Sequence, residues 1–394
     1  MDKVFESCPF PYCSDIYSST AVFVTCVVSF HRASTIPSNI RGCQSGTATA
    51  LRMASSTAHA TVERTAKDAT TPAKVATVLG TMSIPNPLNA AATREALDYF
   101  TAAGFDEVDT AIMYQGGLTE STLGEAGMGK FRVATKANPW YKDGKTFDDP
   151  MAGLKTESIK EQLRASLKSL RLDSVELFYL HAPDRDTPLE ETLRAVHELK
   201  SEGLFNEWGL SNYASWEAVD IWHTCKANGW QTPSVYQGMY NAVTREVERE
   251  LLPALKKLGM RFYAYNPLAG GILTGKHKFD SPPDEGRFSG KTVWGARYRE
   301  RFWHKPTFDA LEGLRGLCEK HDTSLVSASL RWLHHHSLLS GDRGDAVIVC
   351  GTTVDQVKAN VDACADDTPL PQEIVDAFEE AWQASKADCQ QYFR

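Results

Sequence analysis

Four side chains in this sequence are of types that together can protonate a carbonyl oxygen: Asp109, Tyr114, Lys136 and His181. A tyrosine near its reference pKa of ~10 is a poor acid at neutral pH. A nearby ammonium favours the phenolate and so lowers that pKa, and a carboxylate can hold the ammonium in place. Asp109, Lys136 and Tyr114 could form such a relay. A neutral imidazole beside them can donate a hydrogen bond to a carbonyl oxygen and steady the negative charge that builds there when hydride reaches the carbon, a role that suits His181. Singly, each residue has a plainer explanation. Lys136 and Asp109 could be an interior ion pair, His181 a satisfied core histidine and Tyr114 a loop aromatic. What sets them apart is their order, since Asp109, Lys136 and His181 fall toward the ends of three successive β-type runs and Tyr114 follows the first of these.

Those runs belong to a longer alternation between short apolar strands and amphipathic helices, which marks parallel βαβ units. Strands are expected at 75–80, 107–111, 131–137, 174–182, 205–211, 234–240, 261–268 and 345–351. Helices between them repeat apolar residues at three and four: Ile159, Leu163, Leu167 and Leu170 on one, Leu189, Leu193, Val196 and Leu199 on the next, and Val247, Leu251, Leu255 and Leu258 on a third. Gly203 and Gly259 stand where such helices should stop. Eight strand–helix units in about 320 residues predict a (β/α)8 TIM barrel over 73–394. The rival, a doubly wound open sheet, expects a GxGxxG turn after its first strand, and the chain has GTMSIPN from Gly80 to Asn86. In a barrel the working residues sit at the C-terminal strand ends, where the four candidates fall. The stretch from Leu273 to Pro306, with Pro282, Pro283, Gly286 and Gly290, exceeds ordinary loop length and is expected to cover the site. Extra helices at 353–364 and 371–387 precede the tail DCQQYFR.

Composition narrows the function classes. A formal net charge of -8 offers no basic field for nucleic acid. The longest apolar run, Ala21 to Phe30, is far short of the ~20 residues that cross a bilayer, so no membrane span is expected. Nine cysteines, with no CxxC pair and no zinc-type Cys/His spacing, read as free thiols and predict no metal. Residues 16–62 contain no Asp or Glu, only Arg32, Arg41 and Arg52 amid Ser, Thr and Ala. That composition suits a cleavable plastid or mitochondrial transit peptide in residues 1–72. The alternatives are a disordered tail, or a true start at Met53 with a cytoplasmic product. Two apparent motifs are discounted. GEAGMGK, Gly124 to Lys130, lacks the Ser or Thr and the following helix of a phosphate loop, so it reads as a turn. His334, His335 and His336 point about 100° apart on a helix and cannot share one ion, so they read as a surface helix end.

The segments DTAIMY, ATKANPW, FYLHAPD, GLSNYASW, VYQGMYN and FYAYNPLAGGILTGK, in this order, resemble the aldo-keto reductases, specifically the aflatoxin-aldehyde and succinic-semialdehyde reductase branch. The resemblance runs from Val75 to the closing YFR. It implies an NADPH-dependent reductase of aldehydes and dicarbonyls with its catalytic tetrad at Asp109, Tyr114, Lys136 and His181, and a possible homodimer. It assigns Ser211, Asn212 and Gln237 to the nicotinamide carboxamide and puts Tyr240 near the position of a stacking aromatic. Asn266, Pro267, Leu268, Gly270, Gly271, Leu273, Gly275 and Lys276 match a loop that wraps the pyrophosphate.

For the 2′-phosphate of NADP+ it offers Arg287 and the helix opening at Thr352 and Thr353, followed by Gln356 and Asn360; amides at a helix N-terminus plus a guanidinium make an anion site. Here the chain departs from the branch, because the glycine of Cys350-Gly351-Thr352-Thr353 is displaced by one residue. Substrate contacts by resemblance are His181, Tyr298, Arg301 and Arg394. Two guanidiniums suit an aldehyde that carries a carboxylate; the plainer account of Arg301 is a solvated helix face shared with Arg297, Arg299 and Glu300. A different class stays open as well, a redox-sensing NADPH-binding regulatory subunit, since potassium-channel β subunits share this fold and a similar tetrad.

Overall fold

The computed structural model describes residues 73–140 and 152–394. The expected targeting segment, 1–72, lies outside the described residues. Eight parallel strands close into a barrel in sequence order: β1 (Ala76–Gly80), β2 (Glu107–Asp109), β3 (Arg132–Ala137), β4 (Val175–Leu180), β5 (Phe205–Ser211), β6 (Val235–Met239), β7 (Arg261–Tyr265) and β8 (Ala346–Val349). The seam is β1 against β8, with Ala76 opposite Ala346 and Leu79 opposite Val349. Six helices follow the first six strands: α1 (Ala90–Ala102), α2 (Leu118–Ala126), α3 (Thr156–Leu170), α4 (Leu189–Ser201), α5 (Ser215–Ala227) and α6 (Leu251–Leu258). Between β7 and β8 lie α7 (Val293–Phe302), α8 (Lys305–Lys320) and α9 (Leu325–His335), and after β8 come α10 (Val354–Ala365) and α11 (Gln372–Ser385).

The helices form because their apolar residues recur on one face. Ile159, Leu163, Leu167 and Leu170 of α3 are all buried, as are Leu193, Val196 and Leu199 of α4. The third pattern is shorter than expected. Val247 sits in a separate turn at Glu246–Glu248, and α6 starts at Leu251. Pro253 explains the break, since its ring clashes with a helical carbonyl four residues back and is tolerated only in a first turn. Gly259 then ends α6 at φ 71, a left-handed conformation in which a side chain is strained.

Several strands stop short of their apolar runs. β2 ends at Asp109, with Thr110 and Ala111 buried beyond it, while β4 ends at Leu180, β7 at Tyr265 and β8 at Val349, where the following residues line the open end. Inside the barrel Val78, Leu177, Tyr179, Val235, Tyr263 and Ile348 pack together. Gly209 makes room for this layer, as a Cβ there would meet the Tyr179 ring at 2.8 Å and the Val235 carbonyl oxygen at 2.5 Å.

At the N-terminal end of the barrel, Glu107 accepts from Arg132 (2.8 Å) and from the Tyr263 hydroxyl (3.3 Å), while Arg261 pairs with Glu207. Asp345 accepts from the Phe262 and Ser340 amides, each at 2.8 Å, and from Arg343 at 2.6 Å. The three histidines near the end of α9 are not the exposed helix end that the sequence suggested. His334 is held uncharged by burial, with its pKa lowered to about 4. His335 Nε2 lies 2.8 Å from the Asp366 carbonyl oxygen, and His336 accepts from the Leu370 amide at 2.9 Å. His335 and His336 thus meet the chain after α10 and His334 meets Val75 ahead of β1, contacts that the local sequence does not reveal. Among the described residues no cluster of His, Cys, Asp or Glu is placed to hold a metal ion. Gly124 to Ala126 is the last turn of α2, and the rest of GEAGMGK is the turn into β3.

Candidate active site at the open end of the barrel

Asp109 is the last residue of β2, Lys136 lies one residue before the end of β3, and His181 directly follows β4. Tyr114 opens a tight turn after β2. Gln115 pins that turn by donating to the carbonyls of Met82 (2.8 Å) and Asn86 (3.1 Å). Lys136 is buried, and its Nζ donates to Asp109 Oδ1 (2.6 Å), the Thr110 carbonyl (2.7 Å) and the Tyr114 hydroxyl oxygen (3.3 Å). An ammonium has three protons, so all three are committed. The third arrives on the phenol oxygen as a donor, which leaves the phenol's own hydrogen free to be given to another acceptor. The second oxygen of Asp109 accepts from Gln237 Nε2 at 2.8 Å.

The His181 ring stands edge-on to Tyr114, with centroids 6.0 Å apart, and near Trp140 at 6.2 Å. Its main chain is fixed on both sides: its N–H donates to the Ala137 carbonyl (2.8 Å) and its carbonyl accepts from Asn212 Nδ2 (2.8 Å). The Nδ1 atom is buried and has no hydrogen-bond partner. Burial first, then the Lys136 and Arg394 charges, hold His181 well below its ordinary 6.5. The imidazole is therefore neutral at pH 7 and able to donate from one nitrogen.

One electrostatic expectation reverses. Lys136 was expected to lower the Tyr114 pKa, yet burial and then the Asp109 charge push the phenol well above 10. Burial also holds Lys136 below its ordinary 10.5, against the opposing pull of Asp109. The phenol keeps its proton until a stronger base, such as a developing alkoxide, lies beside it.

Asp109, Tyr114 and His181 line a cleft of about 1960 Å³, and Lys136 lies beneath them. Ser211, Asn212 and Gln237 also line it. Asn212 adopts φ 64 and is fully engaged: Nδ2 donates to the His181 carbonyl and to Ser211 Oγ (3.0 Å), and Oδ1 accepts from the Tyr265 hydroxyl (2.8 Å). Tyr240 does not reach the cleft. It is buried, donating to Glu248 (2.6 Å) and packing edge-on against Phe262 and Trp332. Tyr265 lines the cleft instead. The sequence reading missed it, although the period-two alternation of β7 puts Tyr263 and Tyr265 on one face.

Along the expected pyrophosphate loop, Asn266, Pro267, Leu268, Gly270, Gly271 and Lys276 face the cleft. Leu273 does not, being fully buried in the core, and Gly275 sits behind the turn near Leu325. Gly270 has φ 69, and a Cβ there would meet the Tyr298 ring at 2.8 Å. Thr352, Gln356 and Asn360 line the far end of the cleft, but Thr353 turns away to cap α10, accepting from the Gln356 amide at 3.2 Å. The displaced Gly351 is seated under that helix, where a Cβ would come within 2.8 Å of the Val357 nitrogen. Arg287 lies over the Tyr298 ring, 5.4 Å from its centroid, and beside Cys350. These are features of a cradle for an extended anion: positive-φ glycines that admit close approach, a helix N-terminus and a guanidinium. The residues present fit a dinucleotide.

The stretch expected as a covering loop contains α7, which turns Arg297, Tyr298 and Arg301 toward the cleft. Arg301 Nε is buried without a partner, which sets aside the solvated-face reading. The guanidinium of Arg394 lies over Trp140, 5.2 Å from the ring centroid. Burial lowers the Arg394 pKa, with Arg301 and Arg297 adding to this against the pull of Tyr265. Among the described residues none of these three arginines has a carboxylate partner within salt-bridge distance, so the cluster is a ready anion site. Trp140 itself lines the cleft.

The sequence model of the Aldo/keto reductase family matches residues 76–383. Aflatoxin B1 aldehyde reductase member 2 of Mus musculus is 48% identical over 336 residues, covering 82% of this chain and 89% of that protein. Aflatoxin B1 aldehyde reductase member 4 of Homo sapiens is 45% identical over 334 residues, covering 82% and 98%. Among solved structures, an aldo/keto reductase from Klebsiella pneumoniae in complex with NADP and acetate superposes with a TM-score of 0.58 at 21% identity, covering 81% of this chain and 93% of that one. A glycerol dehydrogenase from Gluconobacter oxydans gives 0.62 at 24%, covering 77% and 90%. At those identities the two structures speak to the fold alone.

Proposed function

Because the chain belongs to the aldo/keto reductase family and is therefore an oxidoreductase, we propose that it reduces aldehydes and dicarbonyls to alcohols with NADPH, favouring aldehydes that carry a carboxylate. The observation that carries this reading is the Lys136 ammonium, which spends its last proton on the Tyr114 oxygen, with the neutral His181 ring edge-on to that phenol in the same cleft. Two side chains that can donate thus line one cleft, and the phenol can release its proton. His181 orients the carbonyl, Tyr114 protonates the oxygen as its charge grows, and Lys136 then holds the phenolate that remains. Asp109 keeps Lys136 charged and in place, and Gln237 keeps Asp109 in place.

NADPH, when bound, supplies the hydride. Gly270, Gly271 and Lys276 would hold its pyrophosphate, and Arg287 with the start of α10 its 2′-phosphate; Ser211, Asn212 and Tyr265 would lie against the nicotinamide. The aldehydes named for the relatives support this substrate class, and the unpaired Arg301 and Arg394 support the preference for a carboxylate.

The test is steady-state NADPH oxidation by the full-length protein with succinic semialdehyde, 2-nitrobenzaldehyde or no substrate, repeated with NADH. Multiple turnovers, a higher kcat/KM for succinic semialdehyde and a marked preference for NADPH are expected. Tight NADPH binding without turnover across a broad carbonyl panel would replace this reading with the redox-sensing binding subunit.

A further inference from the structure

We propose that Arg185 is a positioning residue for carboxylated aldehydes, holding residue 394 so that the Arg394 guanidinium faces the acceptor end of the cleft. The inference rests on the function proposed above. Arg185 lies in the loop between β4 and α4, four residues after His181, and its side chain is 57% exposed. An ion pair so exposed contributes little to stability, so its geometry asks for another explanation. Its Nη2 lies 3.0 Å from Glu217 Oε1 and donates to the main-chain oxygen of Arg394 at 2.7 Å. Glu217 is itself fixed, because it is buried and its Oε2 accepts from the Ala214 amide at 2.7 Å.

Residue 394 is therefore gripped on both sides of its α-carbon. Its N–H donates to the Asn212 carbonyl at 3.0 Å, and its oxygen receives Arg185. Fixing both main-chain groups sets the direction in which the side chain leaves, and the guanidinium comes to lie over Trp140, close enough to His181 to disfavour its charged form. Upstream the tail has a separate anchor. The Tyr392 hydroxyl donates to Glu250 Oε1 (2.8 Å) and accepts from the Ser215 amide (3.0 Å). Loss of Arg185 leaves that anchor and the Asn212 contact intact and releases only the main-chain oxygen of residue 394.

The experiment compares full-length wild type, Arg185→Gln, Arg185→Lys, Arg394→Ala and the Arg185→Gln/Arg394→Ala double variant, each with succinic semialdehyde and 2-nitrobenzaldehyde. Arg185→Gln is expected to raise KM for succinic semialdehyde about tenfold, the scale of one lost hydrogen bond to a charged group, with kcat and the KM for 2-nitrobenzaldehyde within about twofold of wild type. Lys keeps one donor but not the planar fork and should restore part of the loss. In the Arg394→Ala background, Arg185→Gln should add nothing. Additive effects would mean that Arg185 touches substrate itself, and equal losses on both aldehydes or a lowered Tm would mean a structural role; each overturns the proposal. If Arg394→Ala separates the two aldehydes and Arg185→Gln does not, positioning alone fails. If Arg394→Ala does not separate them, the carboxylate preference fails and this inference falls with it.

Discussion

Glu107 and Asp109 stand two residues apart on β2, one toward the N-terminal end of the barrel and the other toward the C-terminal end, and each is paired with a cation from β3. At the N-terminal end Glu107 meets Arg132, which is 48% exposed and reaches water, and the remaining charges there close on one another: Arg261 with Glu207, Arg343 with Asp345. At the C-terminal end Asp109 meets a wholly buried Lys136, whose third proton goes to a phenol facing open space, and a histidine nitrogen nearby has no partner. Burial raises a pKa in both places, that of Glu107 in one and of Tyr114 in the other. A buried charge or a shifted pKa therefore does not by itself mark a site. Nor does an unpartnered polar atom, since Arg261 Nε at the N-terminal end is buried without a partner as well; the difference is access, because Tyr114 and His181 line an open cleft.

The largest effect expected from this contrast is at Tyr114. Tyr114→Phe should lower kcat about 10³-fold, within the range for losing a general acid, while the Kd for NADPH by fluorescence titration stays within about twofold. A variant that keeps near-normal kcat would remove Tyr114 from its role. The mirror experiment is Glu107→Ala, which strands the Tyr263 hydroxyl in the interior. It should cost about 2 kcal/mol in urea unfolding, a figure discounted because Arg132 is half in water, and leave kcat nearly unchanged. A large drop in kcat without loss of stability would erase the distinction between the two ends.

The smallest effect is read by pH. His181 and His334 are held uncharged in the fold, with pKa values below the ordinary 6.5, while the unfolded chain binds protons at both. The unfolded state thus holds more protons, so stability rises with pH and is lost as pH falls through the unfolded value of about 6.5. Each histidine should contribute about 1 kcal/mol of loss between pH 7.5 and 5.5. His334→Gln should remove its share of that slope without touching activity, and an unchanged slope would mean that His334 carries a proton in the fold. Over pH 6 to 8, kcat should show no titration assignable to His181.

Much of the framework was legible because barrel strands and their helices carry their burial pattern locally, and because Asp109, Lys136 and His181 fall where such strands end. What escaped depends on contacts far apart in the chain. The grip of Asn212 on residue 394 and the contacts of His335 and His336 with 366–370 leave no trace in local spacing. Motif position points only to the neighbourhood of Tyr240, whereas the alternation along β7 would have pointed to Tyr265. Leu273 matches a cofactor loop by sequence, yet an apolar side chain within a turn turns to the core. The direction of the Tyr114 shift was misread because sequence supplies a neighbouring ammonium but not the extent of dehydration around the phenol.

The seam between β1 and β8 has a consequence for how the molecule is made. Ala76 must find Ala346, some 270 residues later in the chain. At ~5–20 residues per second on the ribosome, β1 has to wait roughly 15–50 s with one edge unpaired. During that interval the nascent chain presents an open strand edge to its neighbours, so its yield in a cell depends on how well that edge is sheltered until β8 emerges.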